Sequence, residues 1–255
     1  MSQPLVGRHA LVTGGGRGIG AAIAAALAGA GARVTLLGRT AAELAKTAAA
    51  LPSAQAVTAD VTDARQVERA FGEAREAAGE ISILVNNAGL AKSRPLAKSD
   101  EAFWRGMLEV NLTGAYHCTR AALPAMLAAG WGRIVSISST AGLRGYAYCT
   151  AYCAAKHGLV GFTRALALEV AKTGITVNAV CPGFTETGVV QGAVRAISEQ
   201  SARSESEARQ TLISFNPQQR FVQPEEVANA VLWLCLPGSD SMNGQSIAVA
   251  GGEVT

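Results

Sequence analysis

"ALVTGGGRGIGAAIAAALAGAG", Ala10 to Gly31, passes from an apolar run through a cluster of glycines into an alanine-rich segment. The pattern predicts a strand, a tight turn at Gly14, Gly18 and Gly20, and a helix. Glycine allows the turn and lets the backbone approach a pyrophosphate, whose charge then meets the free N–H groups of the helix N-terminus. Close packing of a helix on a strand would also use a Gly-x-Gly pair; the strand–loop–helix context is what points to a dinucleotide. The spacing is Gly-x-x-x-Gly-x-Gly, and no Gly-Lys-Ser/Thr follows, which disfavours kinase or ATPase chemistry.

Outward from this stretch, short β-branched or apolar runs alternate with longer segments of helical period, as in a parallel sheet covered on both faces. Strands are expected near 9–13, 33–37, 55–59, 81–85, 132–138, 175–180 and 245–249, with helices between them. No linker or internal repeat interrupts the alternation, so residues 1–255 are expected to form one α/β domain: a doubly wound, Rossmann-type sheet of about seven parallel strands. Residues 185–215 form a polar Ser/Glu/Arg-rich insertion after strand six. It leaves the carboxyl end of a strand, where ligands bind, and is expected to be a mobile substrate lid.

Composition narrows the function classes. The chain of 255 residues is 49% apolar, and its formal charge of +3 is scattered without a Lys/Arg run or interleaved aromatics, so no nucleic-acid partner is expected. Polar residues follow Met1 and no long apolar run follows them, while Gly18 to Leu37 is interrupted by Arg33 and glycines. Neither reads as a secretory signal or a membrane span, and a cytoplasmic protein is expected. The five cysteines include no Cys-x-x-Cys pair. Cys149 and Cys153 sit one helical turn apart, which raises a metal or redox reading, but buried reduced thiols and no metal site are expected.

The choice of dinucleotide turns on strand two. Roughly twenty residues after the glycines, an NAD site carries an acid for the adenosine ribose. Here "TLLGRT" places Gly38 and Arg39 instead. A 2′-phosphate could pair with Arg39 and with Arg17 inside the loop, so NADP(H) is favoured over NAD(H), although both arginines could be solvated surface groups. Asp60, in "TADVTD", is placed either to bond the adenine amino group or to cap a helix.

In "YCTAYCAAKHG", Tyr148 to Gly158, Tyr152 and Lys156 fall at i and i+4, on one helical face and about 6 Å apart at Cβ. An ammonium beside a phenol stabilises phenolate and lowers its pKa, which makes tyrosine an acid/base near neutral pH. Upstream, "GRIVSISSTAG" ends a strong strand with Ser138 and Ser139, and a hydroxyl there could donate to a carbonyl oxygen.

Together these motifs resemble the short-chain dehydrogenase/reductase family over about residues 7 to 252. Thr13-Gly14-x-x-x-Gly18-x-Gly20, Asn86-Asn87-Ala88-Gly89, Asn111, Ser139, Tyr152-x-x-x-Lys156 and Pro182-Gly183 stand in family order and spacing. The resemblance selects Ser139 over Ser138. It implies that Tyr152 exchanges a proton with the substrate oxygen, Ser139 holds that oxygen, and Lys156 binds the nicotinamide ribose and lowers the tyrosine pKa. Asn111 would anchor a water that relays protons to the lysine. Thr13, Ile19, Val61, Asn87, Pro182, Gly183, Thr185 and Thr187 join the cofactor set, and Asn86 ties strand four to its neighbours.

The substrate is read from weaker signals. The carboxyl-terminal third is similar to 3-oxoacyl reductases, 3-hydroxyacyl dehydrogenases and polyketide ketoreductases, which implies a CoA or carrier-protein thioester; aryl or alicyclic ketones, with NAD, are the alternative. Arg144, Tyr146 and Tyr148 are expected around the substrate, with Tyr148 as a wall. A non-catalytic dinucleotide sensor is the competing class, set against a complete set of four catalytic residues. The family resemblance also implies a homotetramer built through the helices after strands four and five and through residues 224–235 and 245–249.

Overall fold

Uncharged on nearly every position, the runs His9–Thr13 (β1), Gly132–Ile137 (β5) and Ile175–Pro182 (β6) are buried along their whole length, as strands covered on both faces must be. The computed structural model describes residues 3–201 and 203–254. Four more strands complete the sheet: Arg33–Gly38 (β2), Ala54–Thr58 (β3), Ile83–Asn86 (β4) and Ser246–Val249 (β7). All pair in parallel, in the order β3-β2-β1-β4-β5-β6-β7.

All seven strands stand where the alternation predicted them, with ends shifted by up to two residues. β4 begins at Ile83, not 81, and β6 continues through Pro182, whose register partner is Val249.

The helices are Gly18–Gly29 (α1), Ala41–Ala49 (α2), Ala64–Ala78 (α3), Glu101–Leu108 (α4), Gly114–Ala129 (α5), Thr150–Glu169 (α6), Gly188–Ser201 (α7), Glu205–Ile213 (α8) and Pro224–Cys235 (α9). Two hydrophobic cores lie on opposite faces of the sheet. One gathers Ile23, Leu27, Val227 and Val231 from α1 and α9 against β1, β2 and β4; the other gathers Phe71, Cys118, Met126 and Leu166 from α3, α5 and α6. A third, smaller core joins Val190, Val194, Ala208 and Leu212 of the 185–215 insertion, which carries two helices, to Phe221 just beyond it.

Between α4 and α5 the chain passes through a π-helical turn, Glu109–Thr113, so that one nearly continuous helix carries a widened turn at its middle. Such bulges frequently accompany functional sites. No helix among the described residues is long and apolar enough to cross a membrane.

Candidate active site

The strand order reverses between β1 and β4, and their carboxyl ends open the crevice in which doubly wound sheets take ligands. Thr13 ends β1 there, and its hydroxyl accepts hydrogen bonds from the N–H groups of Asn87 and Ala88, both at 2.9 Å. The Asn87 amide donates back to the carbonyls of Thr13 (2.8 Å) and Gly14 (3.2 Å). This knot fixes the glycine loop against the end of β4, so Asn87 spends its amide on the scaffold. Asn86, by contrast, reaches away from the crevice to Thr119 at 3.0 Å, tying β4 to α5 as expected.

Gly14 has φ +63°, and a Cβ there would sit 2.9 Å from Asn87 Nδ2; one on Gly20 would collide with the Gly14 carbonyl oxygen. Both positions therefore require glycine. The N-terminus of α1 has no side-chain cap and no acidic residue in its first turn, which leaves N–H groups and a positive dipole end for an anion. These residues fit the pyrophosphate of a dinucleotide. Ile19 turns its side chain onto the first core, and Val61 is buried in the second, so the backbone of these two residues is what remains for a cofactor.

The two arginines expected to meet a 2′-phosphate do not stand free of acids. Arg17 lies 3.6 Å from Glu43 and Arg39 lies 3.7 Å from Asp60. Long pairs of this kind between exposed groups are weak, and both arginine side chains are 75% exposed, free to exchange a carboxylate for a phosphate. Asp60 is not a helix cap: α3 is capped by Asp63, which accepts from the N–H groups of Arg65 and Gln66. Asp60 instead accepts from the N–H and hydroxyl of Thr62 at 3.0 and 2.9 Å.

Across the switch point, Ser139 follows β5 and Tyr152 and Lys156 lie on the first turns of α6. Lys156 is buried, donates to the Ile137 carbonyl at 2.8 Å, and holds its ammonium 5.7 Å from the centre of the Tyr152 ring. Ser138 points elsewhere, its hydroxyl 3.1 Å from the Lys156 carbonyl, which leaves Ser139 to face Tyr152.

The expected lowering of the tyrosine pKa does not hold in the protein alone. Burial pushes the Tyr152 phenol up to about 12, against a hydrogen bond with Ser139 that favours the phenolate. Burial also pushes Lys156 down to about 8. The same low-polarity pocket disfavours both charged forms, so spacing on a helix was not enough to infer the direction.

Asn111 sits in the π turn, fully buried, donating to the carbonyls of Leu90 (2.8 Å) and Met107 (3.0 Å) and accepting from the Leu90 N–H at 3.1 Å. A Cβ on Gly89 would lie 3.0 Å from Asn111 Oδ1 and 3.7 Å from Lys156 Nζ. The two polar atoms thus border one small space that a glycine keeps open.

Pro182 and Gly183 close β6, where the Gly183 N–H bonds the Val249 carbonyl at 3.0 Å. The Thr185 hydroxyl bonds the Gly183 carbonyl and that of Thr187 bonds the Thr185 carbonyl. Thr187 Cγ2 would lie 3.2 Å from a Cβ on Gly18, so the start of the insertion packs against the glycine loop. Of the residues expected near substrate, Tyr148 is exposed with φ +64°. Arg144 and Tyr146 engage the carboxyl-terminal tail through Glu253. Among the cysteines, 118, 181 and 235 are buried, but 149 and 153 are only half-buried, and all five are free thiols. The described residues contain no group of three or more His, Cys, Asp or Glu side chains able to hold a metal.

The profile of the short chain dehydrogenase family matches residues 8–197. The chain belongs to that family. D-beta-hydroxybutyrate dehydrogenase of Cupriavidus necator is 38% identical over 256 residues, covering 98% of this chain and 99% of that protein. The 3-oxoacyl-acyl-carrier-protein reductase of Aquifex aeolicus is 38% identical over 258 residues, 99% of each. A variant of actinorhodin polyketide ketoreductase, crystallised with NADPH, superposes with a TM-score of 0.95 at 39% identity over 99% of both chains. This short-chain dehydrogenase is therefore an oxidoreductase acting between ketone and alcohol, with a fold that takes NAD or NADP.

Sequence reasoning gave no role to Gly89, Phe184, Phe215 or Glu253. Only Glu253, a lone acid in the small and apolar tail "IAVAGGEV", carried a signal that could have been followed.

Proposed function

We propose that the protein is an NADP(H)-dependent reductase of 3-oxoacyl thioesters, able to oxidise the 3-hydroxyacyl product in reverse. The observation that carries this reading is the convergence of Ser139, Tyr152 and Lys156 beside the glycine cradle, at the carboxyl ends of the strands. A bound nicotinamide dinucleotide supplies or accepts the hydride.

The protein's own residues manage the oxygen and its proton. Ser139 donates a hydrogen bond to the substrate oxygen and orients it toward Tyr152 Oη. In reduction the Tyr152 phenol gives its proton to that oxygen; in oxidation the phenolate removes it. A phenol held near 12 is protonated at neutral pH, which suits the reductive direction. Lys156 stabilises the phenolate left behind and holds the nicotinamide ribose. Replacement of that proton passes through the space over Gly89, which Asn111 Oδ1 and Lys156 Nζ share.

Gly14, Gly18 and Gly20 hold the pyrophosphate, Asp60 and the Val61 backbone the adenine side, and Pro182, Gly183, Thr185 and Thr187 the carboxamide side. Arg17 and Arg39 favour a 2′-phosphate, in line with the ketoreductase solved with NADPH. The helices of residues 185–215 act as the lid. The acyl thioester rests on the named activity of the 3-oxoacyl-acyl-carrier-protein reductase that aligns over nearly the full chain, and the hydroxybutyrate dehydrogenase supports only the 3-oxo/3-hydroxy pattern.

The test is oxidation of NADPH and NADH, followed at 340 nm, with acetoacetyl thioester as substrate. Turnover is expected to be faster with NADPH, and Tyr152→Phe to lower kcat by about 10²- to 10⁴-fold while NADPH still binds. Equal rates for Tyr152→Phe and the unaltered enzyme would overturn the assignment.

A further inference from the structure

The tail after β7 meets the hydroxyl of Tyr146 and the chain neighbours of Phe184 and Phe215. Glu253, 9% exposed, is hydrogen-bonded through its carboxylate to the Tyr146 hydroxyl, which also lies 2.7 Å from Thr140 Oγ1. The second carboxylate oxygen lies against Gly183, 2.9 Å from where a Cβ would stand, immediately before Phe184. Gly251 abuts Asn216, immediately after Phe215, and Gly252 packs on Pro217. Arg144 donates to the Glu253 main-chain carbonyl at 3.4 Å and sits 5.1 Å from the Tyr146 ring centre.

The three rings meet. Tyr146 is edge-on to Phe184 at 6.4 Å and tilted against Phe215 at 5.8 Å, and the two phenylalanines are 5.5 Å apart. Aromatic pairs at these separations and tilts attract beyond their burial. Phe184 also packs on the small core of α7 and α8. Thr140, under the Tyr146 hydroxyl, adjoins Ser139, so this wall begins one residue from the group that holds the substrate oxygen.

A buried carboxylate is an expensive way to anchor a tail. Burial pushes the carboxyl of Glu253 above its ordinary range, and an apolar side chain of similar volume often serves stability as well or better. What the acid adds is direction: its hydrogen bond holds one rotamer of Tyr146, and with it the face that the ring presents to Phe184 and Phe215.

We propose that Glu253 is a positioning residue that, through Tyr146, sets a three-ring wall of the substrate cleft and selects ketones whose non-reacting arm is flat and apolar. This rests on reading the cleft as a ketone site. Glu253 and Tyr146 touch neither the reacting oxygen nor the proton path, so their effect falls on KM and on the choice of substrate.

The test compares the N-acetylcysteamine thioesters of acetoacetate and benzoylacetate, which share the reacting group and differ only in a methyl or phenyl arm. Glu253→Ala is expected to raise KM for the phenyl substrate at least tenfold, leaving its kcat and the methyl substrate within threefold. Glu253→Gln, whose amide oxygen still accepts from Tyr146, should stay within threefold throughout. Tyr146→Phe, which keeps the ring and loses the hydroxyl, should match Glu253→Ala, and the double variant should be no worse than either, as for two ends of one interaction. An equal KM change for both thioesters, or additive losses, would overturn the proposal. Calorimetric titration of each variant with the two thioesters reads the same discrimination without turnover. An enzyme that reduces neither thioester breaks the functional reading, whereas unaltered discrimination in Glu253→Ala breaks this one.

Discussion

The two sides of the crevice are built by different means. On the cofactor side, β1, β4 and the N-terminus of α1 present main chain: glycines, free N–H groups, and a knot of Thr13 and Asn87 that holds loop to strand. On the side proposed for substrate, the surface is made of side chains, with Tyr152 and Lys156 on α6 and three rings from three segments, one of them hydrogen-bonded to the Glu253 carboxylate. A diphosphate is common to every dinucleotide and can be met by backbone; a particular ketone has to be met by particular side chains. The first side can thus serve many enzymes unchanged, while the second decides what each one reduces.

The largest test of this division is charge reversal on the cofactor rim. Arg17→Glu combined with Arg39→Glu should weaken NADPH by roughly ten- to a hundredfold, about 1.4–2.8 kcal/mol, with little loss of NADH affinity. Because Glu43 and Asp60 already pair with these arginines, the reversal also adds repulsion toward a phosphate. Ketone KM under saturating cofactor should not move. A parallel loss of NADH affinity would mean that the arginines support the loop itself.

A smaller effect is expected at the seam between the sides. Gly89→Ala would place a methyl 3.0 Å from Asn111 Oδ1 and 3.7 Å from Lys156 Nζ, filling the space between them. Loss of about tenfold in kcat, with cofactor affinity unchanged, is the expected outcome; a change in NADPH Kd alone would place Gly89 with the cofactor cradle instead.

The same division explains what was legible in the sequence. Gly14 and Gly20 announce themselves locally, because a positive φ and a near-collision of backbones leave no other residue possible. The strand pattern is equally local, since burial on both faces demands unbroken apolar runs. Helical spacing points to Tyr152 and Lys156, the end of a strand to Ser138 or Ser139, and the family resemblance to Ser139 of these two and to Asn111. The π turn that aims Asn111 has no evident signature in "EVNLT". The Tyr146–Glu253 link joins residues 107 apart, a pairing that depends on how β7 and the insertion pack, and no local rule reaches it. The acid/base pKa values failed for a related reason: sequence supplies the neighbours of a group, whereas burial, the larger influence here, is a property of the fold.

The smallest prediction separates that burial from chemistry. Lys156 titrates near 8 in the folded protein, below the usual value near 10.4 that applies in the unfolded chain. Below pH 8 both states carry the proton, and the folded state alone bears the cost of a buried charge. Between about pH 8 and 10.4 the folded state gives up the proton first, so the unfolded state binds more protons and stability rises with pH. In the free protein, Lys156→Met should raise Tm by a few degrees at pH 6–7, with the gain shrinking toward pH 10. Tyr152, shifted upward by burial, acts in the opposite sense only at higher pH and stays protonated in both folded proteins up to about pH 10, so it adds little to the difference over this range. A gain independent of pH would mean that methionine simply packs better. A gain confined to low pH would show that, before any nucleotide binds, the substrate side holds its lysine at a cost in stability that the backbone-built cofactor side does not carry.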